Sequence, residues 1–377
     1  MPLYRSIHLR IPLSHALDVS SSYFLLGQFR LNAAVMGTRI EEVKGGSLPN
    51  DLLLRDFTSS HRRGYVRVFP ESEDDIPKNR KGYVLPKHYC DFERRIREFE
   101  VRDDDIVVAS YPKTGTTWTQ EMVWCIGNNL DFEKAMATVL PVRFPFLELT
   151  TLFEFRSAEN EAEEDSLKAF LKDSVKFTAE MESPRYIKTH LPWELLPDQM
   201  KSKQTKIIYV ARNPKDTCVS YYHHSRLIEG YRGNLEDFVE LFLQDTVSYS
   251  SYWEHLLSYW EHREDPNVLF IKYEDMKKDL PPVVKKVVQF MGKKELNEEE
   301  LSKLCSHLSF ESMKNNLSVN YEYVIDQDKA ASLPEESRHF MRKGKVNGWK
   351  EEISEGLARR FDEWTESHLS GTDFRFD

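Results

Sequence analysis

The run Asp103-Asp104-Asp105-Ile106-Val107-Val108-Ala109-Ser110-Tyr111-Pro112-Lys113-Thr114-Gly115-Thr116-Thr117-Trp118 constrains this chain more than any other stretch. Residues 106–109 are apolar and strand-forming, a Pro-Lys-Thr-Gly turn follows, and residues 118–126 read as helix. Strand, tight turn and helix in that order aim free backbone N–H groups and a helix dipole at an anion. Gly115 lets the backbone approach closely, Lys113 adds a point charge, and Thr114, Thr116 and Thr117 add hydroxyl donors. The spacing differs from the common phosphate loop G-x-x-x-x-G-K-[ST], where the lysine follows the second glycine. Here it precedes the only one. The competing reading is a plain strand-to-helix turn, in which short polar residues and a lysine at a strand's carboxyl end would have no use.

The remainder alternates strands with helices. Tyr65-Val66-Arg67-Val68-Phe69 alternates like a short strand. Residues 90–99 read as a helix with Phe92, Ile96 and Phe99 on one face. Arg143-Phe144-Pro145-Phe146-Leu147-Glu148-Leu149 is aromatic and proline-bounded, hence irregular. A helix is expected over 166–180, a strand running into a loop over 185–192, and a buried strand over 206–211. Arg212-Asn213-Pro214-Lys215-Asp216 then opens a helix through Tyr222, with Pro214 suited to its first turn. Residues 235–263 read as two helical pieces, 267–273 as a strand and 279–292 as a helix. Asn297 and Glu300 have capping-box spacing, and 350–368 reads as the last helix. The charged stretch 71–81 reads as a surface loop, and 159–165 as a solvated loop or helix start. There is no internal repeat. The expected architecture is α/β: a single domain with a P-loop-like parallel sheet flanked by helices on both faces. Its ligands belong at the carboxyl ends of the strands.

Residues 1–46 differ in composition. Up to Ile40 they hold Arg5, Arg10, Arg30 and Arg39, a single acid, Asp18, and the cluster Ser20-Ser21-Ser22. That resembles a transit peptide slightly, but a disordered extension is the expectation. Gly45-Gly46-Ser47-Leu48-Pro49 reads as a linker, so the folded domain is expected over 47–377.

Charge and cysteine content exclude several functions. A net charge of −10 argues against nucleic acid as partner. Cys90, Cys125, Cys218 and Cys305 are far apart and make no C-x-x-C pair, so they read as reduced thiols of a cytoplasmic protein. No run approaches the length of a membrane span, no N-terminal anchor is visible, and no carboxylate pair is placed as a metal site.

An acidic chain has nevertheless set isolated cations beside its strand ends. The first strand end carries Lys113, the second Lys188 and His190, and the third Arg212, with Ser220 two helical turns on. Arg342-Lys343-Gly344 follows late in the chain. Each alone reads equally well as a surface charge or a structural histidine. Together they suggest a ligand with more than one anionic group.

These motifs, in this order, resemble the cytosolic sulfotransferases, in an invertebrate-like form. The similarity runs from about Tyr83 to the C-terminus. Tyr111-Pro112-Lys113-Thr114-Gly115-Thr116-Thr117-Trp118 is similar to the family's 5′-phosphosulfate loop, and Lys188-Thr189-His190-Leu191-Pro192 to its catalytic-histidine motif. Arg212 to Asp216 with Ser220 is similar to its 3′-phosphate site, and Arg342-Lys343-Gly344 with Gly348-Trp349-Lys350 to its C-terminal signature. The resemblance implies 3′-phosphoadenosine-5′-phosphosulfate as donor and a small phenol, alcohol, steroid or amine as acceptor, with no metal. It implies His190 as general base, Lys113 at the leaving phosphate and Lys188 at the transferring group. Trp118, Tyr273, Ser309, Phe310 and Met313 match positions around the nucleotide, while Leu308 stands where the family often has a hydroxyl. Phe146, Leu149 and Tyr249 match acceptor-lining positions. Phe144 and Tyr252 are further candidates that read equally well as core. Lys350 is kept from the family's pairing motif, but Ser354-Glu355 replaces Thr-Val and Arg359 replaces Glu, so a monomer or weak dimer is expected. Three other readings stand beside this one: a nucleotide-phosphate enzyme needing magnesium, a binder without turnover, and a dehydratase that uses sulfonation as a step.

Overall fold

The computed structural model describes residues 39–42, 64–70, 81–152, 166–202 and 205–376. Strands β4 (Ile106–Ala109), β5 (Tyr186–Thr189), β6 (Lys206–Ala211) and β7 (Val268–Lys272) form a parallel sheet in the order β5-β4-β6-β7. Alternate residues of these strands feed two separate cores. Val107, Ala109, Ile187, Ile207 and Tyr209 join one, and Ile106, Val108, Tyr186, Ile208 and Val210 the other. That is why the strands read as continuous apolar runs: both faces are covered. Each fully buried aliphatic side chain stabilises the fold by about 1.5–3 kcal/mol.

The helices that matter to the site are α1 (Thr116–Gly127), α2 (Pro214–His224), α3 (Tyr273–Lys278), α4 (Glu298–His307), α5 (Phe310–Asn315) and α6 (Glu355–Leu369). Strands β4, β6 and β7 run into α1, α2 and α3 respectively. Asn297 closes the expected capping box with Glu300. Residues 145–147 extend the sheet at β5's free edge: Lys188 N–H donates to the Pro145 carbonyl and Leu147 N–H to the Lys188 carbonyl, each at 2.8 Å.

Several expected boundaries move, each for a local reason. The helix expected over 166–180 breaks into Ser166–Lys172 and Ser174–Glu180. Asp173 lies between them, accepts from Lys176 N–H at 2.9 Å as the second helix's cap, and binds Arg95. Tyr273, expected to end a strand, opens α3. The last helix begins at Glu355 rather than 350, because Ser354 caps it and Gly348–Glu351 forms a 3-10 turn. Of residues 1–46 only 39–42 are described. They form β1 (Arg39–Glu42), antiparallel to β2 (Tyr65–Phe69), which pairs with β3 (Tyr83–Pro86). These four residues lie within the stretch expected as an extension and pair with β2. The expected charged loops lie outside the described residues, save Lys81. Among the described residues no helix is long and apolar enough to cross a membrane.

Candidate active site

The turn after β4 is built from two residues at positive φ, Lys113 at 71° and Gly115 at 110°. Gly115 is the N-cap of α1, and a Cβ on it would lie 2.8 Å from Tyr273 Cδ2. Only glycine suits both the conformation and the contact. The Thr114 hydroxyl donates to the carbonyls of Tyr111 and Val210, both at 2.8 Å. It therefore ties the turn to β6. Thr117 is half-buried. The first intrahelical bond of α1 runs from Thr119 N–H to the Gly115 carbonyl, leaving the N–H groups of residues 116–118 ahead of it as an anion-binding end.

His190 stands at the end of β5, buried. Its Nδ1 lies 2.7 Å from the Ser110 carbonyl. A carbonyl only accepts, so Nδ1 carries the proton and Nε2 the lone pair. Ser110 Oγ lies 3.2 Å from the same nitrogen and 2.6 Å from Thr116 Oγ1, which links the histidine to the first residue of α1. The backbone is held as firmly. His190 N–H donates to Glu148 Oε1 at 2.6 Å, the Thr189 hydroxyl donates to Glu148 Oε2 at 2.9 Å, and His255 Nε2–H donates to the His190 carbonyl at 2.8 Å. Burial pushes Glu148 up to about 7. Burial, and then the charge of Lys188, hold His190 well below its ordinary value, so the ring is neutral at pH 7.

The two lysines rest on aromatic faces. Lys113 Nζ is 3.8 Å from the centre of the Phe340 ring and Lys188 Nζ 4.2 Å from that of Phe146. Burial, followed by repulsion from Lys188 and Arg212, lowers Lys113 to about 7. Burial lowers Lys188 to about 8 against the pull of Glu148.

The far end of the site is assembled by contacts between distant segments. Arg212 donates to the Lys113 carbonyl at 3.2 Å and the Lys345 carbonyl at 3.1 Å, and its guanidinium lies 4.4 Å from the Tyr273 ring centre. Its Nε is buried with no hydrogen-bond partner among the described residues, an orphan donor that fits an anion. Asp216 accepts from Asn347 N–H at 2.7 Å and Trp349 N–H at 3.0 Å, so α2 carries the C-terminal signature on its first turn. Ser220 lies one turn further along α2, half-buried. Arg342 and Lys343 both donate to Glu352. Gly344, at φ 59°, lets Phe310 pack where a Cβ would sit 2.3 Å from its ring. Ser309 caps α5, and Met313 is buried beneath it. Trp118 Nε1 donates to the Leu308 carbonyl at 2.8 Å, and its ring meets Tyr273 edge-on at 5.7 Å. Leu308 thus contributes its backbone where a hydroxyl was looked for.

On the acceptor side, Phe146 and Tyr249 meet the His190 ring edge-on at 4.9 and 5.6 Å. Leu149 packs against the same core. Phe144 is placed elsewhere: it packs with Tyr186 at 5.7 Å in the core on the opposite face of the sheet. Its N–H still bonds the Leu140 carbonyl, so it belongs to the preceding helical turn and not to the strand-like segment 145–147. Tyr252 is core, its hydroxyl donating to the Arg212 carbonyl at 2.5 Å. Sequence reasoning missed Ser110, Glu148, Phe340 and Glu352, and it placed Asp216 in a motif without its tie to Asn347 and Trp349. A lone acid within the aromatic run 143–149 was the available signal for Glu148. Among the described residues one group, Glu121, Cys125 and His307, has the closeness a metal site needs. Within it the Glu121 carboxylate is already shared: Arg143 Nη2 lies 2.5 Å from Oε2 and His307 Nε2 2.7 Å from Oε1.

Residues 103–373 match the family model described as Sulfotransferase domain. The chain is 44% identical over 338 residues to luciferin sulfotransferase of Photinus pyralis, covering 89% of this chain and 88% of that one. The solved complex of retinol dehydratase with retinol and PAP is similar, with a TM-score of 0.77 and 32% identity over 90% of this chain and 99% of that one. So is mouse sulfotransferase SULT7A1 complexed with PAP, with a TM-score of 0.56 and 29% identity over 78% and 94% of the two chains.

Proposed function

The chain belongs to the sulfotransferase family, and on that premise we propose how its own residues divide the work of transfer. The enzyme moves the sulfuryl group of 3′-phosphoadenosine-5′-phosphosulfate to a small acceptor. When bound, the donor supplies that group and leaves as PAP. His190 Nε2 takes the proton from the acceptor hydroxyl. The observation that carries this role is the bond from Nδ1–H to the Ser110 carbonyl, which fixes the tautomer with its lone pair outward. Lys188 offers positive charge to the sulfuryl oxygens, and Lys113 to the oxygen that gains charge as the bond breaks. The N–H groups at the start of α1, with Thr116 and Thr117, hold the 5′ side. Arg212, Ser220 and Arg342-Lys343-Gly344 hold the 3′-phosphate. Trp118, Tyr273, Ser309, Phe310 and Met313 flank the adenosine.

The acceptor is a phenol or alcohol whose apolar body lies between Phe146 and Tyr249, with Leu149 behind. The names of two relatives, luciferin sulfotransferase and retinol dehydratase with retinol, are in keeping with a hydroxyl on an apolar frame. The protein acts as a monomer or weak dimer in the cytoplasm. The test pairs nucleotide binding with turnover: His190→Ala is expected to bind PAP as the parent does while losing transfer to a panel of phenols, alcohols, steroids and amines. Transfer at the parent rate would remove His190 from the mechanism.

The likeness to retinol dehydratase supports a second reading for allylic alcohols. The sulfate ester forms first. Loss of a neighbouring proton then supplies the electron pair for a carbon–carbon double bond as sulfate departs. Product mass distinguishes the two, since one outcome gains the sulfuryl group and the other loses water.

A further inference from the structure

The cations assigned to the 3′-phosphate are already engaged by a carboxylate. Arg342 Nη1 and Lys343 Nζ both donate to Glu352 Oε1, the lysine at 3.0 Å. The other oxygen, Oε2, accepts from His223 Nε2 at 2.5 Å, and His223 Nδ1 lies 2.6 Å from Ser337 Oγ. An ionised carboxylate only accepts, so His223 carries its proton on Nε2 and the Ser337 hydroxyl donates to Nδ1. His223 follows Ser220 by three residues on α2, which puts the two on one face, a turn apart. The carboxylate therefore meets α2 beside the expected phosphate contact. It is mostly shielded, with 16% of the Glu352 side chain exposed and 14% of Arg342. Burial alone would raise its pKa; the His223 hydrogen bond and the Arg342 charge overcome that and hold it at about 2.

An arginine, a lysine and an imidazole N–H around one small anion are the donors a phosphate would receive. We propose that Glu352 is an internal stand-in for the donor's 3′-phosphate. It keeps the 342–344 loop in its receiving geometry while no nucleotide is bound, and it competes for Arg342 and Lys343 when one arrives. This rests on the placement of the 3′-phosphate at Arg212, Ser220 and Arg342. The loop does not depend on Glu352 alone for its course. Arg212 holds the Lys345 carbonyl, and Asp216 holds the N–H groups of Asn347 and Trp349. A phosphate beside an ionised carboxylate is repelled until one of them gives way. Glu352 thus makes the nucleotide bind less tightly, and PAP leave sooner, than the cations alone would set.

Glu352→Gln removes the charge and keeps the shape, with its side-chain oxygen still able to accept from His223. PAP and adenosine 5′-monophosphate, which lacks the 3′-phosphate, are titrated into parent and variant by calorimetry. The expected result is PAP binding tighter by roughly fivefold, the upper scale of a partly screened ion pair, with the monophosphate unchanged. In an Arg342→Met background the gain shrinks, which a merely structural role would not produce. Stopped-flow dissociation of PAP is correspondingly slower in Glu352→Gln. Should that variant not fold, Glu352→Thr, neutral and smaller, carries the same expectation. Equal or weaker PAP binding in a folded neutral variant overturns the proposal. If Arg342→Met leaves the preference for PAP over the monophosphate intact, the placement of the 3′-phosphate is itself wrong.

Discussion

Lys113 Nζ rests on the Phe340 ring, with Lys188 and Arg212 repelling it and burial stripping its water. Its pKa of about 7 rises when an anion arrives. Nucleotide binding at pH 8 is therefore expected to take up protons, read as a dependence of calorimetric heat on the ionisation enthalpy of the buffer. Binding without proton exchange at pH 8 would show that Lys113 is charged before the ligand comes. Gly115 carries a second constraint. At φ 110°, with a Cβ placed 2.8 Å from Tyr273, Gly115→Ala strains the turn by about 1–3 kcal/mol. A lowered urea midpoint and weakened PAP binding should appear together. The placement of Lys113, Gly115, Lys188, His190 and Arg212 at strand ends was legible because their residue types are costly or unusual there. Ser110 and Glu148 were not, because a serine acting through its carbonyl, or a carboxylate accepting backbone N–H groups, leaves no pattern in a chain read residue by residue.

At the scale of elements, the site is a set of strand ends plus one long return. Residues 340–349 come back to the sheet and are fastened to α2 through Asp216. Asp216→Ala leaves two N–H groups without their acceptor, a cost of about 1–3 kcal/mol. The expected signature is a raised KM for the donor with the acceptor's KM little changed, from initial-rate kinetics in which each substrate is varied. Equal loss for both would assign Asp216 to general stability. The sheet strands were legible from continuous apolar runs, and α2 from Pro214. The break at Asp173 was missed because the helical spacing of Leu167, Phe170, Leu171 and Val175 continues across it, and whether an aspartate caps a new helix is set by the geometry of a partner such as Lys176 N–H. The late start of α6 was missed for the same reason: Ser354 caps only once Gly348–Glu351 has turned. Phe144 was misplaced because a helical turn and a strand meet within two residues at Pro145.

Taken whole, the molecule buries its charges unevenly, and acid and base should reveal this. Lys113 and Lys188 titrate near 7 and 8 when folded, and far higher when unfolded. Between pH 7 and 9 the unfolded chain binds more protons, so stability rises with pH across that window. Glu148, raised to about 7, works in the opposite sense below it. The melting temperature of the ligand-free protein should therefore be higher at pH 9 than at pH 7, and a fall over that range would contradict the burial of both lysines. Asp105 and Arg185 form a buried pair across the start of β4 and β5, at 2.8 and 2.5 Å. Asp105→Asn leaves that guanidinium uncompensated and is expected to destabilise by about 3–5 kcal/mol, measured by urea unfolding. The parallel sheet and its two-sided cover were readable in the strand–helix alternation. Strand β1 was not, since Arg39-Ile40-Glu41-Glu42 gains its structure from β2, far along the chain. The segment docked on β5's edge has a wider consequence. Residues 145–149 carry the aromatic wall at Phe146 and the carboxylate of Glu148 that grips the His190 backbone. Acceptor choice and base alignment therefore share one short piece of chain. Substitutions there that admit a new acceptor will also retune the turnover of old ones, so selectivity and speed will drift together as this enzyme diverges.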